Sequence, residues 1–166
     1  MQQSLCLLVD LELLPFKGRQ LGAVFLHDAL TDLALGWGID AFLEVFCEHV
    51  RKKHSAQPAL TTKNVPLLRQ RLDARGIKDV LVMASFNPTG FYVNPSLEEC
   101  SAAVRQPGLR FVAMNTLASG TVKPDDAFRF LGQFPNVESI VVGMSRKEHA
   151  EETVAAARRH LKCAQR

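Results

Sequence analysis

His27 and Asp28 stand side by side at the end of the apolar run Leu21–Leu26. A carboxylate beside an imidazole sets its tautomer and holds it near working pH, which suits a general acid or base. The alternative is a strand-end histidine hydrogen-bonded to backbone. Lys63 follows the run Ala59–Thr62. A lysine there can form a Schiff base where burial depresses its pKa, or it can simply orient a ligand or face water. Asn87 and Asn115 offer polar handles for a small ligand, and each could equally cap a loop. His27, Asp28 and Lys63 form the candidate catalytic set, with Asn87 and Asn115 as candidate substrate-binding residues.

The second cluster is a binding motif. Ser139–Val142 reads as a buried strand, Gly143 as a turn, and Ser145 with Glu148 as the capping box of a helix. Such a strand–glycine–helix junction aims several backbone amides at one spot, a ready site for phosphate. Arg146 and Lys147 lie at the positive end of the helix dipole, where acids are favoured. An anionic ligand would remove that conflict, as would two side chains that reach into water. The loop Leu117-Ala118-Ser119-Gly120 follows the preceding strand. The expected anion or cofactor site therefore comprises Ser119, Gly120, Gly143, Met144, Ser145 and Arg146.

The elements that must position these residues alternate. Ser4–Asp10 reads as a leading strand buried on both faces, and residues 11–20 as a loop. Leu21–Leu26 is a second strand. A loop through Gly36 and Gly38 leads to a helix from Asp40 to about Lys53, with Phe42, Val45, Phe46 and Val50 at helical spacing. Pro58–Thr62 is a strand, and Asn64 caps a helix Val65–Arg75 closed by Gly76. Asp79–Ala84 is a strand, followed by a helix over residues 95–104 that either Asn94 or Ser96 can cap. Arg110–Met114 is a strand, Pro124 opens a helix, and a final helix runs from Arg146 to about Lys162, with Ala150, Val154, Ala157 and Leu161 on one face. Strands apolar throughout require helices against the sheet. The reading is one α/β domain over residues 1–166, with the leading strand and loop in 1–20 and the β–α units in 21–162.

Composition excludes several classes. Hydrophobic residues at 47% and charged residues at 22% match a soluble globule rather than a disordered chain. A formal charge of +3 names no partner, and the runs Arg51–His54 and Arg158–His160 fall at helix ends without interleaved aromatics. Nucleic acid is therefore not expected. Cys6, Cys47, Cys100 and Cys163 are scattered, so no zinc site or disulfide framework is expected. No segment approaches the ~20 apolar residues of a membrane span, and Met1-Gln2-Gln3 lacks a positive signal-peptide start. A cytoplasmic setting without membrane or metal follows as the expectation.

No G-x-G-x-x-G fingerprint follows the early strands, and polar residues cluster at nearly every strand's C-terminal end. In a (β/α) barrel these ends surround one mouth, where active sites sit. The segments Phe111–Gly120 and Ile140–Ser145 with its following acidic helix resemble those near the seventh and eighth strands of the aldo-keto reductase superfamily. The run Phe86–Glu99 resembles a sixth-strand loop of its relatives, and Leu26-His27-Asp28 the histidine-bearing fourth strand. The resemblance covers residues 21–162. It implies an incomplete TIM-type (β/α) barrel of about five β–α units after one leading strand, an NAD(P)-linked oxidoreductase of unknown substrate, and NADP as cofactor.

The departures are specific. Reductases take an Asp, a Tyr and a Lys from strands before the histidine strand, whereas residues 1–20 hold one candidate strand and no tyrosine. The sole tyrosine, Tyr92, falls in the loop after the sixth-strand equivalent. Thr153 stands where nucleotide-binding members often have Asn. A complete barrel takes roughly 250 residues, so roughly three strands are wanting. The expectations are therefore three: a small anionic ligand at an aldo-keto-reductase-like site; a non-redox barrel acting through a Schiff base or on a phosphorylated metabolite; or a non-catalytic half-barrel completed by a second copy or another chain.

Overall fold

A computed structural model describes residues 2–161. Its first element corrects the sequence reading. Gln2–Leu13 is a helix, α1, where a leading strand is expected. Leu5 and Val9, four residues apart, are buried, while Leu7, Leu8 and Leu11 face out. A short apolar run fits a buried strand and a helix equally by periodicity. Leucine's helix preference and the absence of β-branched residues other than Val9 decide it.

Strand β1, Ala23–Leu26, is followed by two helices, α2 (Asp28–Trp37) and α3 (Asp40–His54). The sequence reading has only the second. Gly36 obscures α2 because glycine disfavours a helix interior, yet Thr31, Ala34 and Leu35 bury a face there. Gly38 closes α2 at φ 68°, a left-handed conformation that glycine adopts without penalty.

The remaining units follow in the expected order: β2 (Gln57–Thr61), α4 (Val65–Arg75), β3 (Leu81–Ser85), α5 (Leu97–Arg105), β4 (Arg110–Met114), α6 (Pro124–Leu131), β5 (Val137–Ile140) and α7 (Lys147–His160). Asn64 Oδ1 accepts the Leu67 amide at 3.0 Å and caps α4. Of the two candidate caps for α5, Ser96 is used, its hydroxyl accepting the Glu99 amide at 3.1 Å. In α7 the buried residues are Thr153 and Ala156, whereas Val154 is exposed. The apolar-only stripe overlooked Thr153, whose small side chain suits close packing. Lys162, expected at the end of this helix, and Cys163 lie outside the described residues.

All five strands are parallel and pair in chain order, β1-β2-β3-β4-β5. Parallel crossovers are nearly always right-handed, so sequential order sends successive helices to one side of the sheet. A doubly wound sheet instead reverses order to cover both sides. Leu26, Leu60, Val82 and Phe111 form one row across four strands and join the main buried core. Alternation puts Phe25, Ala59, Leu81 and Arg110 on the other face. At its lower end Arg110 makes a two-pronged pair with Glu138 (2.9 and 3.0 Å) and reaches Asp79 (2.6 Å) and Gln57 (3.1 Å). Among the described residues no helix is long and apolar enough to cross a membrane.

α6 and α7 pack tightly. A Cβ on Gly132 would lie 2.7 Å from the His160 carbonyl oxygen, so only glycine fits. Asp125 accepts from His160 (2.9 Å) and pairs with Arg159 (3.0 Å) and Arg129. The His160 hydrogen bond and these charges hold the Asp125 carboxyl below the usual range, against partial burial that would raise it. A depressed carboxylate pKa stabilises the fold above the unfolded value, about 4. That contribution is lost as pH falls through the folded value. Asp125→Asn is expected to flatten the decline in stability below about pH 4, measured as urea midpoints across a pH series. An unchanged slope would remove Asp125 from the acid response.

Candidate functional site

The loops after β4 and β5 converge on a cleft of about 690 Å³ at the C-terminal ends of these strands. Asn115, Ser119, Gly120, Gly143 and Ser145, five of the expected binding residues, line it. Met144 and Arg146 do not; both are exposed. Thr116, Lys123, His149, Glu152 and Thr153 complete much of the wall.

The start of α7 differs from the expected capping box. The helix begins at Lys147, with Arg146 as N-cap in extended conformation (φ −137°, ψ 154°) and no side chain capping it. The Ser145 hydroxyl therefore lies one residue too early to cap and borders the cleft instead. The first-turn amides, which have no intrahelical acceptor, receive none from a capping side chain. α6, which also begins at this cleft with Lys123 and Pro124, carries two acids in its first turn, Asp125 and Asp126, where α7 carries one, Glu148.

Thr116 is the most informative wall residue. It is 1% exposed, and its hydroxyl has no hydrogen-bond partner. A buried polar atom left alone costs about 1–3 kcal/mol, so such atoms mark sites where a partner belongs. The same loop is strained: Asn115 (φ 51°), Ala118 (φ 45°) and Ser119 (φ 58°) are left-handed without being glycine. Each costs of order 1–2 kcal/mol, and backbone strain of this kind concentrates at ligand sites. Gly143, by contrast, needs no special backbone angle, and a Cβ there would meet nothing within 4 Å. Its lack of a side chain keeps the wall open.

The candidate catalytic residues do meet. His27 Nδ1 lies 2.8 Å from Asp28 Oδ1, and Asp28 Oδ2 lies 3.7 Å from Lys63 Nζ. They meet on an open rim, however, with the His27 side chain 77% and Lys63 70% exposed. His27 is the N-cap of α2, its Nδ1 accepting the Ala29 amide at 3.2 Å. The burial that a Schiff-base lysine needs is absent. Asp32, missed in the sequence reading, accepts from the Thr62 hydroxyl (2.5 Å) and the Lys63 amide (3.0 Å) and fixes this loop. His27 after β1 and the cleft beyond β4 and β5 lie toward opposite edges of the sheet, and His27 does not line that cleft.

Asn87 is corrected outright. It is fully buried, and its amide is spent on the protein. Nδ2 donates to the carbonyls of Phe91 (2.8 Å) and Asn115 (3.2 Å), and Oδ1 accepts from Thr89 Oγ1 and the Phe91 amide, both at 2.9 Å. It builds the turn after β3 and presents nothing to a ligand. Asn87→Ala is expected to cost about 2–3 kcal/mol through the partners it strands. A thermal or urea unfolding curve within about 0.5 kcal/mol of the parent, the range of a neutral surface change, would refute that role.

Fold and cleft together define an α/β protein with a five-stranded, sequentially ordered parallel sheet flanked by helices and a cleft of mixed polar and apolar lining beyond its last two strands. Comparison with protein-family models and with curated proteins finds no match to the chain.

Proposed function

We propose that this chain is an arc of an aldo-keto-reductase-like (β/α) barrel that binds the phosphate-bearing part of a nucleotide, NADP in the first instance, in the cleft between the β4–α6 and β5–α7 loops. The observation that carries the reading is the unpartnered hydroxyl of buried Thr116 in the wall of a cleft that also borders the uncapped start of α7. Sequential strand order supports the barrel, because barrel neighbours follow chain order. Barrels often hold phosphate at the loops after their last two strands.

The residues divide the work by chemistry. The α7 amides and the Ser145 and Thr116 hydroxyls donate to phosphate oxygens, and Lys123 adds positive charge. Glu152 on the same wall opposes an anion, so the amides and Lys123 must outweigh it. NADP when bound supplies hydride. His27, on the β1 rim, and Tyr92, 71% exposed, both lie outside the cleft wall, which leaves His149 as the imidazole that lines it. Efficient reduction by this chain alone is not expected.

Fluorescence titration with NADPH tests the proposal. Saturable binding, displaced by adenosine 2′,5′-bisphosphate and weakened by Thr116→Val, is the expected result. No binding at millimolar NADPH would overturn the cofactor. Binding of inorganic phosphate or a sugar phosphate alone would move the reading to a non-redox barrel acting on a phosphorylated metabolite.

One observation favours a second reading, a non-catalytic arc completed by a second copy or another subunit. β1 and β5 each have one unpaired edge, and Leu8, Phe25 and Leu30 beside β1 are exposed. Open parallel edges with apolar flanks invite pairing. Sedimentation velocity decides it, because a monomer at high concentration with exchange-protected edge strands removes the need for a partner.

A further inference from the structure

α1 docks on α3 through one compact polar cluster. Asp10 of α1 faces His49 and His54 of α3, and both imidazole Nε2 atoms approach the same carboxylate oxygen, Oδ1, at 2.8 and 2.9 Å. The rings stand edge to face with centroids 5.5 Å apart. His54 is the last residue of α3, followed by Ser55 in left-handed conformation. Histidines five apart are separated by about 140° around an ideal helix, and Asp10 bridges them. All three side chains are mostly buried, at 14–23% exposure.

We propose that Asp10, His49 and His54 bind one divalent transition-metal ion of the zinc class, which staples α1 to α3. This inference is independent of the nucleotide cleft. The three ligand atoms lie within 4.8 Å of one another, and among the described residues this is the one such group of histidine, cysteine and acidic side chains. Zinc sits about 2.0–2.1 Å from histidine nitrogen and about 2.0–2.2 Å from carboxylate oxygen, which separates tetrahedral donors by about 3.3 Å. Imidazoles now at hydrogen-bond distance from Oδ1 need retreat by only about half an ångström to admit the ion. Two imidazoles and one carboxylate suit zinc, cobalt or nickel, whereas calcium and magnesium demand oxygen ligands.

The surroundings shape the site. Lys53 Nζ holds the other oxygen, Oδ2, at 2.6 Å. It occupies Oδ2 and leaves Oδ1 for one-oxygen coordination. Its charge also lowers the affinity for a cation. Asp10, Lys53 and His54 border a cleft of about 380 Å³ whose wall carries Lys17 and Arg19. Three protein ligands leave the fourth position to water or to an anion drawn in by that basic wall.

The test uses the full chain. Cobalt(II) is titrated with visible absorption as readout, and zinc by calorimetry. One equivalent is expected to bind with the ligand-field bands of a four-coordinate site and to raise the thermal midpoint, because the ion binds only the folded arrangement. His49→Gln and His54→Gln preserve a donor to Asp10 while removing the imidazole. Each is expected to weaken binding at least about tenfold with the helical circular dichroism retained. Lys53→Met is expected to tighten binding severalfold, an effect that a hydrogen-bonded clasp without a metal would not produce. Absence of stoichiometric binding at 100-fold excess metal overturns the proposal. So does binding that both glutamine variants leave unchanged.

Discussion

Phe86→Ala is expected to destabilise the protein by about 3–5 kcal/mol, the usual cost of emptying a buried phenylalanine site. Phe86 follows directly on β3 and is fully buried. Its amide donates to the Met114 carbonyl at 3.0 Å, which continues the β3–β4 pairing by one residue. Its ring meets Phe134 at 4.8 Å, Phe130 at 5.2 Å and Phe111 at 5.5 Å, in edge-on or tilted geometries that aromatic rings prefer. Arg105 closes the cluster, its guanidinium 4.1 Å above the Phe134 ring. Truncation removes the shared member of three ring pairs at once. Against a typical total of about 5–15 kcal/mol, the loss takes much of the stability. Urea unfolding followed by circular dichroism measures it as a lower midpoint at constant slope. A cost below about 1 kcal/mol would show that the three remaining rings collapse around the gap and that Phe86 is not central.

Gly143→Asp is expected to abolish anion binding in the β4–β5 cleft while leaving the fold intact. The backbone at Gly143 is not left-handed, and a Cβ meets nothing within 4 Å, so the side chain enters without strain. Residue 143 lies three positions before the N-cap of α7, outside the turn where the helix dipole acts, so the thermal midpoint is expected to hold. Binding falls instead. The new charge occupies the field that the helix amides offer to phosphate and repels the ligand. At ~4 Å and an effective dielectric of ~20 that repulsion approaches ~4 kcal/mol before screening, so a loss of at least ~30-fold is expected. Gly143→Ala, which adds only a methyl, is the control and is expected to bind within about threefold of the parent. Equal losses in both variants would mean that space rather than charge governs the cleft. Unchanged NADPH and phosphate binding in Gly143→Asp would place the ligand elsewhere.

Local signals in the sequence determine much of this protein. Asn64, Ser96, Gly76 and Pro124 begin or end helices through chemistry confined to a few residues, and each acts where its type predicts. Apolar runs mark the five strands, but the last, expected as a buried strand Ser139–Val142, is Val137–Ile140 with Glu138 and Ser139 exposed, because it lies at the sheet edge. The pairing of the Ser119-Gly120 loop with the Gly143–Ser145 junction is legible because, in parallel β–α units, polar strand ends collect at one rim.

What failed depended on partners distant in sequence. Ser4–Asp10 carries no local mark separating strand from helix, and packing of Leu5 and Val9 against α3 resolves it. Asn87 looks like a ligand handle until the turn to Phe91 folds back and consumes every bond it can make. His27 and Lys63 have the right types and the right neighbour, yet exposure decides reactivity, and exposure belongs to the folded surface. Caps, turns and apolar runs act over a few residues, so they mark the β–α alternation from α3 to α7 but neither α1 nor α2. Only the tertiary structure decides that Thr116 is buried without a partner and that Asp10 meets His49 and His54. Burial and convergence are set by chain segments up to 44 residues apart, and no local pattern encodes them.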